Sequence, residues 1–599
     1  MEKATLSVLE IAHKNAKLWT SSFFDEVTRK EAQRLIDLGG DELIEPFYKD
    51  LDFGTGGMRG IMGAGTNRIN PYTLGLATQG LATYAQEFFS RKSLKAAIAF
   101  DSRNNSKAFA RKVAEVLSAN GVHTYLFEEL RPTPELSFAV RELGCDFGIV
   151  LTASHNPKEY NGYKVYWNDG GQLVPPHDNG VIAKVRATKF EDINWNAQED
   201  LIELLGSSMD KKYIDMVANL TINDIGKDEL DIVFTALHGT SIVSVPPALA
   251  QAGFRNVQIV EKQAVPDGNF PTVASPNPEE SAALAMAVAQ AEATNADLVI
   301  GCDPDTDRVG IAVNDGTGSM QLLNGNDTAA LLVHYILSQK VAKGQMPSNA
   351  FTAATIVTTD LIADISIKFG VPCYRCLTGF KWIADLIKNK PGEQFIVGGE
   401  ESYGYMVGDA VRDKDAVASA VMIAEMAAYA KSKGKTVLQQ LADIHREFGQ
   451  YQERLISITK QGRSGAEEIA VMMTSLRNNP PQMLGGSPVA IVIDHAVSQQ
   501  KDLRSGTTIS TELPSSNVLQ FITEAGDKVS ARPSGTEPKI KFYFSVRQTT
   551  GESHAATKAE LEAKIDTFIK ELNLYEAYET AIYYRGHFDG PFFVLRSKG

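Results

Sequence analysis

Cysteine is scarce in this sequence. Its four thiols, Cys145, Cys302, Cys373 and Cys376, are too few for a disulfide-built scaffold. Cys373 and Cys376 make one C-x-x-C, but no second pair and no nearby histidine pair completes a zinc site. That pair therefore reads as buried or incidental. Long apolar runs are also missing: no stretch of about 18 apolar residues occurs, so no membrane-spanning helix is expected. The alanine-rich stretches 282–291 and 416–430 carry polar residues and read as packed helices. Met1–Thr20 is mixed polar, without a signal-peptide apolar core, so a cytoplasmic enzyme is expected. Positive charge is in deficit, 59 Lys+Arg against 73 Asp+Glu for a net charge of −14. That argues against nonspecific binding of nucleic acid or of anionic membranes. Small phosphates stay open, because they need only local basic groups. There is no Walker P-loop, and Gly54-Thr-Gly-Gly-Met-Arg-Gly60 is not a dinucleotide fingerprint, since Arg59 replaces the last glycine.

What is there is long and repetitive. The 599 residues correspond to about three to five domains at ~100–200 residues each. Residues 5–40 look helical, with Leu9, Ala12, Ala16 and Leu18 at near-helical spacing. After them one pattern occurs three times: a strand-like run ends in a polar loop, helical sequence follows, and a second run ends in a chemically loaded loop. The first copy joins Ala96–Phe100 to Asp101-Ser-Arg103, then Gly148–Leu151 to Thr152-Ala-Ser-His-Asn-Pro157. The second joins Asp231–Phe234 to Leu237-His-Gly239, then Asp297–Ile300 to Gly301-Cys-Asp-Pro-Asp-Thr-Asp-Arg308. The third joins Thr355-Ile-Val357 to Thr358-Thr-Asp360, then Gln394–Val397 to Gly398-Gly-Glu-Glu-Ser402. Short apolar strands alternating with helices predict α/β units with buried sheets, whose ligands gather at the strands' carboxyl ends. From about 455 the pattern changes: strands at Pro488–Ile493 and Lys539–Phe544, the loop Arg532-Pro-Ser-Gly-Thr536 and a helix near 556–572 read as a separate α+β domain.

Each loaded loop has its own chemistry. Ser154 follows a buried strand and stands near His155 and Lys164, which places a hydroxyl, an imidazole and an ammonium within one short stretch. A serine hydroxyl needs such company to act as a nucleophile, although a polar turn has similar composition. Asp303, Asp305 and Asp307 alternate along one loop, where their mutual repulsion would be relieved by a divalent cation with oxygen ligands. An EF-hand is excluded, because Arg308 and Asn314 replace its glycine and its glutamate. Glu400, Glu401 and Ser402 lie among glycines and suit sugar hydroxyls. Arg532, Ser534, Gly535 and Thr536 combine a guanidinium with a glycine turn able to nest a phosphate.

Phe53–Gly60, Thr152–Pro157, Asp303–Arg308, Gly399–Ser402 and Arg532–Thr536, in this order, resemble the α-D-phosphohexomutase superfamily over about residues 50–575. The resemblance implies four domains around a central cleft, three related α/β domains followed by a smaller α+β domain. The expected division is a helical extension 1–45, domains 46–225, 226–325 and 326–454, and a last domain 455–599. It implies that Ser154 carries a phosphoryl group and ligates Mg²⁺ together with Asp303, Asp305 and Asp307. His155, Lys164, Arg59 and Arg308 become candidates for proton transfer or charge stabilisation. Thr378, Gly379, Lys381, Glu400 and Ser402 would hold the sugar. Arg532, Ser534, Gly535 and Thr536 would hold the distal phosphate. Thr378–Ile383, Gly399–Gly404 and the N-terminal extension look like the long-chain glucomutase and pentomutase branch. The expected reaction interconverts α-D-glucose 1-phosphate and glucose 6-phosphate through glucose 1,6-bisphosphate, with a pentose or mannose phosphate as the alternative. Small sugar phosphates are then the partners, and the chain is a monomer or weak oligomer.

Two readings come from other classes. Asp305-Thr-Asp-Arg-Val309 also fits the nucleophile motif of haloacid-dehalogenase-type sugar phosphatases, which leaves the Ser154 and Arg532 loops unexplained. A noncatalytic sugar-phosphate sensor would need neither Ser154 nor the three aspartates. The tail, Tyr575–Gly599, holds several aromatics and no readable motif.

Overall fold

The computed structural model describes residues 7–54, 56–91, 93–460, 462–534, 539–548 and 554–574. Thr55, Gly535, Thr536 and the aromatic tail therefore lie outside the described residues.

Four sheets follow one another along the chain. The first contains β1 (Gly57–Ile61), β2 (Leu94–Phe100), β3 (Val122–Phe127), β4 (Phe147–Leu151), β5 (Tyr160–Trp167) and β6 (Ile202–Leu205), in the order β1-β5-β4-β2-β3-β6. The second contains β7 (Ile232–Thr235), β8 (Val257–Ile259), β9 (Leu298–Cys302), β10 (Val309–Asn314) and β11 (Met320–Leu323), ordered β11-β10-β9-β7-β8. The third contains β12 (Ala350–Thr355), β13 (Cys373–Cys376), β14 (Gln394–Glu400) and β15 (Gly404–Val407), ordered β13-β12-β14-β15. A common unit stands in all three. Three parallel strands are joined by one antiparallel strand, β5, β10 or β15, and the loaded loop is the turn into that strand. The threefold pattern in the sequence is thus a threefold structural repeat.

The central strands β2, β4, β9 and β12 are buried along almost their whole length. Their alanines and glycines let helices pack closely on both faces, which is why they read as continuous apolar runs instead of alternating ones. The alanine-rich stretches form the helices Ser281–Thr294 and Ala416–Ser432, and the second is buried on nearly every side.

The fourth sheet is antiparallel throughout. It contains β16 (Gln450–Thr459), β17 (Met483–Leu484), β18 (Ser487–Asp494), β19 (Gln499–Asp502), β20 (Thr508–Ser510), β21 (Leu519–Thr523), β22 (Lys528–Pro533) and β23 (Lys539–Gln548). The helices Gly462–Asn478 and His554–Glu571 accompany it, so the α+β expectation holds. Among the described residues no helix is long and apolar enough to cross a membrane.

Two details differ from the sequence reading, at the N-terminus and at the third repeat's first strand. The N-terminal stretch is three helices, Val8–Leu18, Glu26–Leu38 and Gly40–Phe47, because Asp25 caps the second through the Thr28 amide (2.8 Å). Ala12 and Ala16 enter a core around Trp19, while Leu9 and Leu18 face solvent at 47% and 62% exposure. The third repeat's first strand ends at Thr355 instead of running through Val357. Ile356 and Val357 turn aside to pack on Val518 and Tyr543 of the last sheet. The C-x-x-C cysteines are free. Cys373 packs against the central core, whereas Cys376 joins the cluster of Phe351 and Phe395.

Candidate active site

Ser154 lies in the turn between β4 and β5, in left-handed backbone (φ 52°) and only 2% exposed. A non-glycine residue holds that conformation only where its surroundings impose it, and here they do. Thr152 Oγ1 accepts from the Ser154 amide (2.8 Å) and donates to Asp101 Oδ2 (2.6 Å). The buried Arg103 guanidinium donates to the carbonyls of Ser154 (2.6 Å), Pro157 (2.8 Å), Tyr160 (3.0 Å) and Asn156. Ser154 Oγ is thereby aimed out of its own domain, donating to Asp303 Oδ2 at 2.8 Å, with His155 Nδ1 at 3.2 Å.

Asp303, Asp305 and Asp307 occupy the matching turn between β9 and β10. Each offers an oxygen within 4.8 Å of the others, and all three are buried. Thr306, at φ 59°, makes the sharp bend. Asp303 Oδ1 caps the loop from inside, accepting from the amides of Asp307 (3.1 Å) and Arg308 (3.0 Å). Asp305 Oδ2 accepts from Thr133 Oγ1 (2.9 Å) and Lys164 Nζ (2.6 Å). Asp307 Oδ2 accepts from Lys164 Nζ (3.0 Å) and meets Lys414 Nζ at 3.2 Å. Asp305 Oδ1 and Asp307 Oδ1 are buried without a protein partner. Buried carboxylate oxygens left over in this way are costly, and a hard divalent cation is what such a donor set fits. Burial, then the charges of Asp305 and Asp307, push the Asp303 carboxyl well above its ordinary range. Burial also opposes ionisation of Asp307, but Lys164 and Lys414 outweigh it and hold that carboxyl well below.

Cations surround this group. Arg59, on β1 opposite Gly162 of β5, donates to Asn156 Oδ1 at 2.9 Å. Gly57, three residues after Gly54, is required there: at φ 123° a Cβ would lie 1.8 Å from the Tyr163 carbonyl. Arg308 lies against the His155 imidazole and 3.5 Å from Glu279. Burial and then Arg308 and Arg59 drive the His155 pKa well below its usual value, so the ring is neutral. Burial opposes a charged Lys164, yet Asp305 and Asp307 prevail and keep it protonated.

The third loaded loop closes another side. Glu400 ends β14 and accepts from the Gly379 amide at 2.7 Å, tying it to the Thr378–Lys381 segment. Glu401 accepts from Thr358 Oγ1 at 3.2 Å, and burial with the adjacent Glu400 raises its pKa to about 7. Ser402 and Thr378 are half-buried, and Lys381 Nζ lies 5.0 Å from the Trp382 ring centre. Arg532 lies near the end of β22, paired to Lys541 of β23, and Ser534 follows the strand, its amide donating to the Lys539 carbonyl. Lys541 faces Glu279 and Glu401 of the second and third repeats, and burial lowers its pKa against their pull. Gly535 and Thr536, expected from the sequence to hold the distal phosphate, lie outside the described residues.

Sequence reasoning missed several participants. In each repeat the quiet polar loop supports its loaded partner. Arg103 grips the Ser154 loop, the Thr240 amide and hydroxyl both donate to Pro304 O (2.8 and 3.0 Å), and Thr358 bonds Glu401. Position at the end of the paired strand was the available signal. Lys414 gave none, since Asp413-Lys-Asp415 reads as an exposed charged turn, and the fold instead buries it against Asp307.

The chain is similar to known proteins. Residues 50–192, 211–316 and 324–448 match the family models of phosphoglucomutase/phosphomannomutase alpha/beta/alpha domains I, II and III. A phosphoglucomutase of Staphylococcus haemolyticus (strain JCSC1435) is 37% identical over 506 residues, 84% of this chain and 91% of that protein. A phosphoglucomutase of Staphylococcus aureus (strain MRSA252) is 37% identical over 542 residues, 90% and 96% of the two chains. The solved open form of the exocytosis-sensitive phosphoprotein pp63/parafusin, a phosphoglucomutase from Paramecium, superposes with a TM-score of 0.64 at 17% identity, covering 88% and 96%.

Proposed function

The chain belongs to the phosphoglucomutase/phosphomannomutase family, and from that premise we propose that it interconverts α-D-glucose 1-phosphate and glucose 6-phosphate by way of a phosphorylated Ser154. The observation that carries this reading is Ser154 Oγ, buried in strained backbone and directed at Asp303 across two domains. A merely polar turn has no use for such a contact.

Asp303, Asp305 and Asp307, together with an oxygen of phosphorylated Ser154, would hold Mg²⁺. The ion would spread the negative charge of the phosphoryl group in flight. The protein side chains do the remainder. Glu400 and Ser402, with Thr378, Gly379 and Lys381 alongside, present the sugar hydroxyls. Arg532 and Ser534, with Gly535 and Thr536, bind the phosphate already on the sugar. A free sugar hydroxyl attacks the phosphoserine phosphorus, the bond to Ser154 Oγ breaks, and the hydroxyl proton passes through a base to the departing Ser154 Oγ. His155 suits that role because it stands 3.2 Å from Ser154 Oγ and because burial, then Arg308 and Arg59, keep it neutral and ready to pass the proton on. Lys164 stays protonated and, with Arg59 and Arg308, balances the charge. The resulting glucose 1,6-bisphosphate turns over in the cleft and returns its other phosphoryl group to Ser154, with the proton moving back. The free bisphosphate would prime unphosphorylated chains.

The test is ³¹P NMR of the purified protein with Mg²⁺ and a trace of glucose 1,6-bisphosphate, supplied separately with glucose, mannose and ribose 1-phosphates. Conversion of glucose 1-phosphate to glucose 6-phosphate, abolished in Ser154→Ala, is expected. Release of inorganic phosphate instead would reject the mutase in favour of a phosphatase.

A further inference from the structure

The polar loop of the third repeat supports its own loaded loop and also reaches the last sheet. Asp360 ends that loop. Both its carboxylate oxygens meet Lys528 Nζ, at 3.0 and 2.9 Å, and Arg375 closes on it from the other side. Arg375 also donates to the carbonyls of Thr355 (3.0 Å), Thr358 (3.3 Å) and Thr359 (3.2 Å), so the loop is wrapped around one guanidinium. Gln520 of β21 adds a bond to Ile356 O at 3.0 Å.

The two cations stand on informative strands. Lys528 opens β22 and Arg532 lies four residues further along it, about 14 Å away at ~3.4 Å per residue. Arg375 is in β13, three residues before Thr378. Asp360 therefore joins the strand that delivers the distal-phosphate loop to the strand that delivers a sugar-contacting segment. Neither Lys528 nor Arg375 reaches the aspartate group or Ser154 through any bond described above.

We propose that Asp360, clamped between Lys528 and Arg375, is a latch that positions the last domain over the sugar site and so sets how firmly the cleft holds its sugar phosphates. The three are positioning residues. The proposal rests on the mutase reading for its kinetic consequences, while its conformational consequence stands alone. A cleft closed only about a tenth of the time binds its ligand about tenfold more weakly.

The experiment compares the full chain with Lys528→Met, Asp360→Asn and the charge-retaining Lys528→Arg. In the first two, KM for glucose 1-phosphate should rise about tenfold with kcat within about threefold. Free glucose 1,6-bisphosphate lost per turnover should rise about as much, and small-angle scattering should give a larger radius of gyration. Lys528→Arg should stay near the parent. Unchanged KM, bisphosphate loss and radius of gyration in both disrupting variants overturn the latch. So does a fall in kcat with KM and bisphosphate loss unmoved. If Lys528→Met does not fold, Asp360→Asn carries the same comparison. A parent chain that converts no sugar phosphate refutes the mutase reading instead. Scattering then decides the latch by itself, an unchanged radius of gyration overturning it.

Discussion

Arg103 donates to four backbone carbonyls of the Ser154 loop and lies 3.4 Å from Asp101. A lysine would keep the charge but lacks the planar fork that spans several acceptors at once. The buried carbonyls it released would have to find other partners, and Ser154 would leave its strained conformation. Arg103→Lys is therefore expected to lower kcat about 10–100-fold, since misplacing a reacting group by about 1 Å costs on that order. Steady-state kinetics beside an unchanged far-ultraviolet circular dichroism spectrum would check it. A variant as active as the parent would mean that Thr152 and Asp101 suffice to hold the loop.

At the scale of an element, a turn is only as stiff as the turn packed under it. Gly239 ends the polar loop of the second repeat, and its backbone (φ −104°) is open to any residue. Space is what forbids one: a Cβ there would lie 2.4 Å from Pro304 Cα, inside the aspartate loop. Gly239→Ala must push that loop outward. Supporting contacts to metal sites are commonly worth about 10–100-fold in affinity, and a Mn²⁺ titration followed by electron paramagnetic resonance should show a loss of that order. Unchanged affinity would show that the aspartates hold their geometry unaided. The same packing explains why the third repeat's first strand stops early. Ile356 and Val357 are apolar enough for a strand, but the last sheet offers them Val518 and Tyr543, and tertiary contact outweighs local propensity.

Across the whole molecule, the join between the third repeat and the last sheet carries a titratable group. Burial raises the pKa of Glu453, on β16, from the 4.5 of a free glutamate to about 8, with Asp327 and Asp360 adding to the effect against Lys528. A carboxyl with a folded pKa above its unfolded value lends stability below the unfolded pKa and loses it as pH rises through the folded one. The window is thus from about 4.5 to about 8. Glu453→Gln keeps the shape and removes the titration. Its melting midpoint relative to the parent should climb across that window and stand about 1–4 °C higher above pH 8. Scanning calorimetry at closely spaced pH values tests this, and a difference that does not vary with pH would place the penalty elsewhere.

The sequence by itself determined the three repeats, the separate last domain and the identity of the loaded loops. Most strand ends are marked by local features, the end of the third repeat's first strand excepted, and Ser154, the Asp303–Asp307 series and Arg532 each announce chemistry through residue type and spacing. It also determined that Asp303, Asp305 and Asp307 share one turn, because alternation within five residues leaves them little choice. Only the tertiary structure decided that Ser154 meets Asp303, that Lys164 neutralises two aspartates of another domain and that Lys414 is buried beside them. These contacts join residues more than a hundred positions apart, and nothing in a local pattern encodes the angle between two packed domains. The protonation states followed from the same packing, since burial with the like charges of Arg308 and Arg59 makes His155 neutral, and the opposite charges of Asp305 and Asp307 keep Lys164 charged.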